Sequence, residues 1–142
     1  MKRESSYPGN GLGGVRYYRK MTKMRLTPTS PATAEHYSWG THCDGWHLVK
    51  DAGLSVIEER MPPASFEELH WHRSAQQFFF ILSGEVTMEL ECEEIRLHAG
   101  EGLHIPPRVR HRISNQSREA ARFLVISQPP SHGDRVVNQP GA

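Results

Sequence analysis

Between residues 46 and 127, apolar side chains recur at every second position in short runs, and Gly, Pro or Asn stops each run. Val86, Met88 and Leu90 alternate with Thr87, Glu89 and Glu91, the pattern of a half-buried strand. Ile95 and Leu97 repeat that rhythm before the turn Ala99-Gly100-Glu101-Gly102, and Leu103 and Ile105 lead into Pro106-Pro107. Trp46, Leu48, Leu54 and Val56 form earlier runs, and Arg122 to Ser127 a last one. Gln77 to Leu82 is apolar on both faces after its glutamine, and Ser83-Gly84 turns the chain. No part of this region carries an amphipathic helical stripe of three turns. Short strands punctuated at this spacing predict an all-β sandwich or barrel.

A chain of 142 residues fits one domain with one core. Residues 1–34 read as a basic, Gly- and Pro-rich arm without a helical or strand period, residues 35–130 as the single barrel domain, and residues 131–142 as a tail. The formal charge of +1 is an average. Residues 1–30 hold seven basic residues and one acidic, whereas residues 31–142 hold ten basic and fifteen acidic. The domain itself is therefore acidic, which argues against a nucleic-acid partner. The apolar run Phe78–Leu82 is far short of the ~20 residues that span a bilayer, so no membrane partner is expected. Cys43 and Cys92 belong to no CxxC pair, and no apolar signal region follows the N-terminus. Reduced thiols in the cytoplasm are the expectation.

Nine histidines are the compositional excess, and neutral imidazole is the commonest metal ligand. His70 and His72 lie two apart in a strand-like stretch, so they point to one face and can converge on a cation. Gln77 follows after four residues, and Gly84 after six more. A second series runs Gly100, Pro106, His111, Asn115. Together these resemble the two motifs of the cupin superfamily, G-x5-H-x-H-x(3,4)-E-x6-G and G-x5-P-x-G-x2-H-x3-N. The second is matched in spacing throughout.

The resemblance implies a double-stranded β-helix, or jelly-roll, barrel. It also implies His70, His72, Gln77 and His111 as ligands of a divalent transition metal, Fe, Mn, Ni, Cu or Zn. Three positions depart from the motifs. Ala64 replaces the leading glycine, Gln77 the glutamate, and Arg108 the second-motif glycine. Arg108 lacks glycine's tolerance of positive φ, so that loop is expected to take another conformation. Gln76 neighbours the ligand position, but the spacing to Gly84 favours Gln77, which shares its strand face with Phe79 and Ile81. A neutral amide in place of a carboxylate leaves a bound ion more electrophilic and less tightly held.

Phe79, Ile81, Met88, Ile113 and Phe123 are expected as walls of an apolar pocket, with Glu58 or Arg60 as candidate ligand contacts. His98 and His104 read as turn or surface residues, and His42 and His47 as part of an early strand-loop. Phe78, Phe80, Leu82, Leu124 and Ile126 form an apolar outer side, to be covered by the arm or by a second subunit in a homodimer. The resemblance covers oxygenases, isomerases, lyases and polyketide cyclases, so it implies action on a small organic molecule without choosing the reaction. A non-catalytic ligand-binding or sensor cupin is the alternative, and a metal-free structural barrel a third.

Overall fold

A computed structural model describes residues 26–137. Most of the expected N-terminal arm thus lies outside the described residues. The strands among them are β1 (Glu35–Trp39), β2 (Cys43–Lys50), β3 (Ser55–Met61), β4 (Ser65–Phe66), β5 (His70–His72) and β6 (Gln76–Ser83). They continue as β7 (Glu85–Leu90), β8 (Glu94–His98), β9 (Gly102–Ile105), β10 (His111–Asn115), β11 (Ala121–Gln128) and β12 (Arg135–Val137). No helix occurs among the described residues.

The strands pair antiparallel in two sheets. One runs β1-β2-β3-β11-β6-β9, and the other β12-β5-β10-β7-β8, with β4 also on β10. The period-2 pattern explains their packing. In β6, Gln77, Phe79 and Ile81 are buried, while Phe78 and Leu82 on the opposite face are 39% and 43% exposed. In β11, Phe123, Val125 and Ser127 are buried between half-buried Leu124 and Ile126. Phe78 and Phe80 stack on the outer side with ring centroids 6.4 Å apart.

Met61, Ile81, Val86, Met88, Ile113 and Phe123 fill the space between the sheets almost without exposure. Each such side chain contributes roughly 1.5–3 kcal/mol by leaving water. This corrects one expectation. Of the five residues assigned to pocket walls, Phe79 lines the cavity, whereas Ile81, Met88, Ile113 and Phe123 belong to the packed core.

The motif residues outside the histidines shape the backbone. Asn115 is buried, donates to the carbonyls of Met61 (2.9 Å) and Glu119 (2.8 Å), and accepts from the Ser117 N–H and hydroxyl. Gly84 adopts φ +78°, and a Cβ there would stand 2.8 Å from the Ala120 carbonyl oxygen. Arg108 overturns the expectation made for it. It keeps the left-handed conformation, at φ +68°, despite its side chain. Its N–H donates to the His72 carbonyl at 2.8 Å, tying the loop to β5, and Pro106-Pro107 restrict the approach. Ala64 likewise sits at φ +60°, with its N–H on the Asn115 carbonyl at 2.9 Å. Each costs roughly 1–2 kcal/mol that glycine would avoid.

Candidate functional site

β5 carries His70, Trp71 and His72, all buried. Its neighbour β10 begins with His111 directly opposite His70, so the strand register alone brings the first two motifs together. The ring centroids lie 4.9 Å (His70–His72), 4.4 Å (His70–His111) and 5.8 Å (His72–His111) apart. One ligand atom from each of the three falls within 4.8 Å of the others, and this is the only such group among the described residues. Gln77 comes from β6 in the other sheet. It is 6% exposed, and its Oε1 stands 3.1 Å from His111 Nε2.

The protons on these rings follow from their neighbours. His70 Nδ1 faces the Glu68 carbonyl at 2.8 Å, and His111 Nδ1 faces that of Val109 at 2.8 Å. A carbonyl only accepts, so Nδ1 carries the proton in both and each Nε2 keeps its lone pair. Burial, with the neighbouring His111 adding to it, pushes the His70 pKa down to about 3. Burial pushes that of His111 down to about 4, against the opposing bond to Val109. Burial also lowers His72. All three rings are therefore neutral near pH 7.

Two features fit a cation at this point. Both ring nitrogens of His72 are buried without a hydrogen-bond partner. Such a state costs about 1–3 kcal/mol unless something else occupies the lone pair. Gln77 Nε2 donates to Ser127 Oγ at 3.1 Å, which turns its Oε1 toward His111. In that orientation the amide oxygen, the group's ligating atom, faces the ring nitrogen of His111. A metal ion among these atoms would take up the open lone pairs. Three imidazole nitrogens and an amide oxygen are a donor set for a first-row transition metal, and the carbonyl bonds on Nδ1 hold the rings in the ligating tautomer.

The remaining histidines lie elsewhere. His104 is exposed on the outer side, bonded through Nε2 to Gln76 Oε1, which places Gln76 outside the barrel as well. His98 pairs with Glu101 and Glu85 at the end of β8. His42 is an exposed turn residue at φ +62°. His47 is half-buried near the cavity mouth, its ring 5.7 Å from that of His132.

Next to the cluster is a cavity of about 300 Å³, lined by Tyr37, Trp39, Ile57, Phe79 and Val125 together with polar groups. Those polar groups include Glu59, Glu67, His132 and Arg135, so the pocket is less apolar than the sequence led us to expect. Glu58 and Arg60 do not reach it. Glu58 pairs with Arg122, and Arg60 lies 3.8 Å from Asp44. The residue between them does reach it, because Glu59 shares the inward parity of Ile57 and Met61. That alternation was the signal available in the sequence.

Glu59 is held by a device spread over three strands. Gly45 of β2 is paired with both Tyr37 of β1 and Glu59 of β3. With no side chain on Gly45, the Tyr37 ring lies across it, and the phenol donates to Glu59 Oε1 at 2.7 Å. A Cβ on Gly45 would be 2.1 Å from Tyr37 Cζ. Burial raises the Glu59 pKa to about 7, against the Tyr37 bond and the charge of Arg135. Burial, with Glu59 nearby, raises Glu67 to about 8, while its bond from the Ile113 N–H opposes the shift. Burial and the Glu59 carboxylate raise the Tyr37 pKa, so the phenol stays protonated.

The expected tail contributes to the site. β12 pairs with β5, setting Arg135 opposite His72 and Val137 opposite His70. Tyr37, Glu59, Glu67, His132 and Arg135 were all missed as site residues from sequence.

The cupin domain family (Cupin_2) matches residues 57–127, a span that contains both histidine motifs. An uncharacterized protein of Methanocaldococcus jannaschii is 32% identical over 92 residues, covering 64% of this chain and 74% of that protein. The tetracenomycin polyketide synthase protein TcmJ of Streptomyces glaucescens is 30% identical over 108 residues. That match covers 76% of this chain but only 60% of TcmJ. Among solved structures, the polyketide cyclase RemF from Streptomyces resistomycificus shares the fold at a TM-score of 0.71 and 14% identity, over 81% of this chain and 87% of RemF. Double-stranded β-helix topology, the matched span and the histidine spacing agree, and the chain belongs to the cupin domain family.

Proposed function

We propose that this cupin holds a divalent transition metal through His70, His72 and His111, with Gln77 as fourth ligand, and acts on a small organic molecule in the adjoining cavity. The observation that carries the reading is His72, whose two buried nitrogens have no partner in a cluster where the other two rings present their lone pairs. A divalent ion at this position supplies Lewis-acid polarisation of an oxygen function.

The chain's own groups supply the rest. Glu59, with a pKa raised to about 7, is poised both to take a proton at its free carboxylate oxygen and to return it. Tyr37 fixes the orientation of that carboxylate through its 2.7 Å bond. Phe79, Ile57 and Val125 exclude water from part of the lining. A cavity of about 300 Å³ is at the small end of ligand sites, which favours a compact substrate. The polyketide names of TcmJ and RemF favour one rich in oxygen functions.

The test is to strip the protein of metal and offer Fe(II), Mn, Ni, Cu and Zn in turn, with elemental analysis of what is retained. Near one ion per chain is expected for the wild type, with at least a tenfold loss of affinity in His72→Ala at unchanged circular dichroism. Retention of no ion under any supply overturns the reading. Turnover in a panel of oxygen-rich substrates should vanish in Glu59→Gln, which keeps its metal. Ligands that bind and are never transformed would make the chain a binding module instead.

A further inference from the structure

β12 brings one permanently charged group to the cavity mouth. Its pairing with β5 puts Arg135 opposite His72, and residues paired across antiparallel strands present their side chains on one face. The segment is fixed by its neighbour. The Asp134 carboxylate accepts from the N–H groups of Arg73 (3.1 Å), Ser74 (2.9 Å) and Ala75 (2.8 Å), immediately after β5. Burial alone would raise the Asp134 pKa, and these three donors outweigh it and hold the carboxyl below its usual range.

Arg135 itself is underused. Its Nη2 stands 3.4 Å from the Glu68 carbonyl, the outer limit of hydrogen bonding, and 3.5 Å from His70 Nδ1, which is protonated and cannot accept from it. Among the described residues no carboxylate lies within 4.0 Å of its guanidinium, although Glu59 and Glu67 line the same cavity. Arg135 lines the cavity together with Glu59, Glu67, His70 and His72, and it is also exposed to solvent. A cation left without a carboxylate partner in a cavity wall favours an anionic ligand there.

We propose that Arg135 is the anchor for a carboxylate on the substrate, so that this cavity takes small organic acids with an apolar body. The proposal rests on the reading of the cavity as a substrate site. The guanidinium fork matches a carboxylate through two parallel N–H bonds, which an ammonium cannot reproduce. The apolar body lies against Tyr37, Trp39, Ile57 and Phe79 of the same cavity. In this arrangement the acid enters with its charge toward β12 and its other functions toward the histidines.

The experiment uses benzoate and its uncharged analogue benzamide, titrated calorimetrically into the metal-loaded full chain. The titration is run at pH 6, where benzoate is ionised and Glu59, pushed up to about 7 by burial, keeps its proton. Benzoate should bind the wild type at least about tenfold more tightly than benzamide, the worth of one good charge-assisted pair. Arg135→Gln should remove that preference and leave both benzamide binding and metal content unchanged, and Arg135→Lys should restore part of it. Equal benzoate affinity in wild type and Arg135→Gln overturns the proposal, as does the absence of benzoate binding. If the wild type takes up no metal, the metal reading fails separately, and the same comparison on the metal-free chain still decides the role of Arg135.

Discussion

Glu59 is a carboxyl whose ionisation opposes folding. Its pKa is raised from 4.5 to about 7 by burial, so between those values the folded chain holds a proton that the unfolded chain releases. Its contribution to stability is present below about pH 4.5 and is lost as pH rises through about 7. At about 1.4 kcal/mol per unit, the loss amounts to no more than about 3.5 kcal/mol. Glu59→Gln carries the neutral form at every pH. Urea unfolding of the metal-free chains at pH 5 and pH 8 should therefore show a smaller fall for the variant than for the wild type. Equal falls would mean that Glu59 ionises freely. The sequence hid this residue for a specific reason. The Pro62-Pro63 break made inward parity hard to carry from His70 back to β3, and Glu58 and Arg60 were counted inward by one position. The histidines were legible because their ligation depends on fixed spacings within a strand and around a turn. Tyr37 was not, because its role arises from a contact 22 residues away in sequence.

At the scale of elements, β1, β2 and β3 form one unit for holding that carboxyl. Tyr37 reaches Glu59 only across Gly45, whose bare Cα leaves room for the ring. Gly45→Ala should displace the ring and break the bond, at a cost of about 1–3 kcal/mol in chemical unfolding. Because the lost bond is the one Tyr37→Phe also removes, the double variant should cost less than the two single costs added together. Strict additivity would show that the ring stays in place and that Gly45 matters only to its own strand. The strands themselves were readable from alternation and turn residues, since β3, β6, β7 and β11 are long enough to show a period. β12 spans three residues in a polar stretch and shows none; only its pairing with β5 reveals it. The turn at Arg108 was misread for a different reason. Local preference argued against positive φ, and the bond from its N–H to the His72 carbonyl overrides that preference.

At the scale of the molecule, the proposed ligands come from both sheets. His70, His72 and His111 belong to the sheet of β5 and β10, and Gln77 to that of β6 and β11. A metal held by all four would join the sheets, adding to core packing, the turns between strands and the Asn115 bond from β10 to the Met61 carbonyl of β3. Such binding stabilises the folded state alone, by about 2.7 kcal/mol at a free-ion concentration one hundred times Kd. For a domain of this size that raises the melting temperature by on the order of 10 °C. Thermal unfolding followed by circular dichroism should show this rise in the wild type and at most about half of it in His72→Ala. Gln77 then decides whether the tie crosses the sheets. Gln77→Glu adds a charged ligand at the same place and should give a larger rise at the same free-ion concentration, whereas Gln77→Ala should give a smaller one. If Gln77→Ala and wild type rise equally, the ion is held by the histidine sheet alone and Gln77 only bonds to Ser127. A graded order of Glu above Gln above Ala, with the rise in His72→Ala cut to half or less, is the result that places the metal between the two sheets.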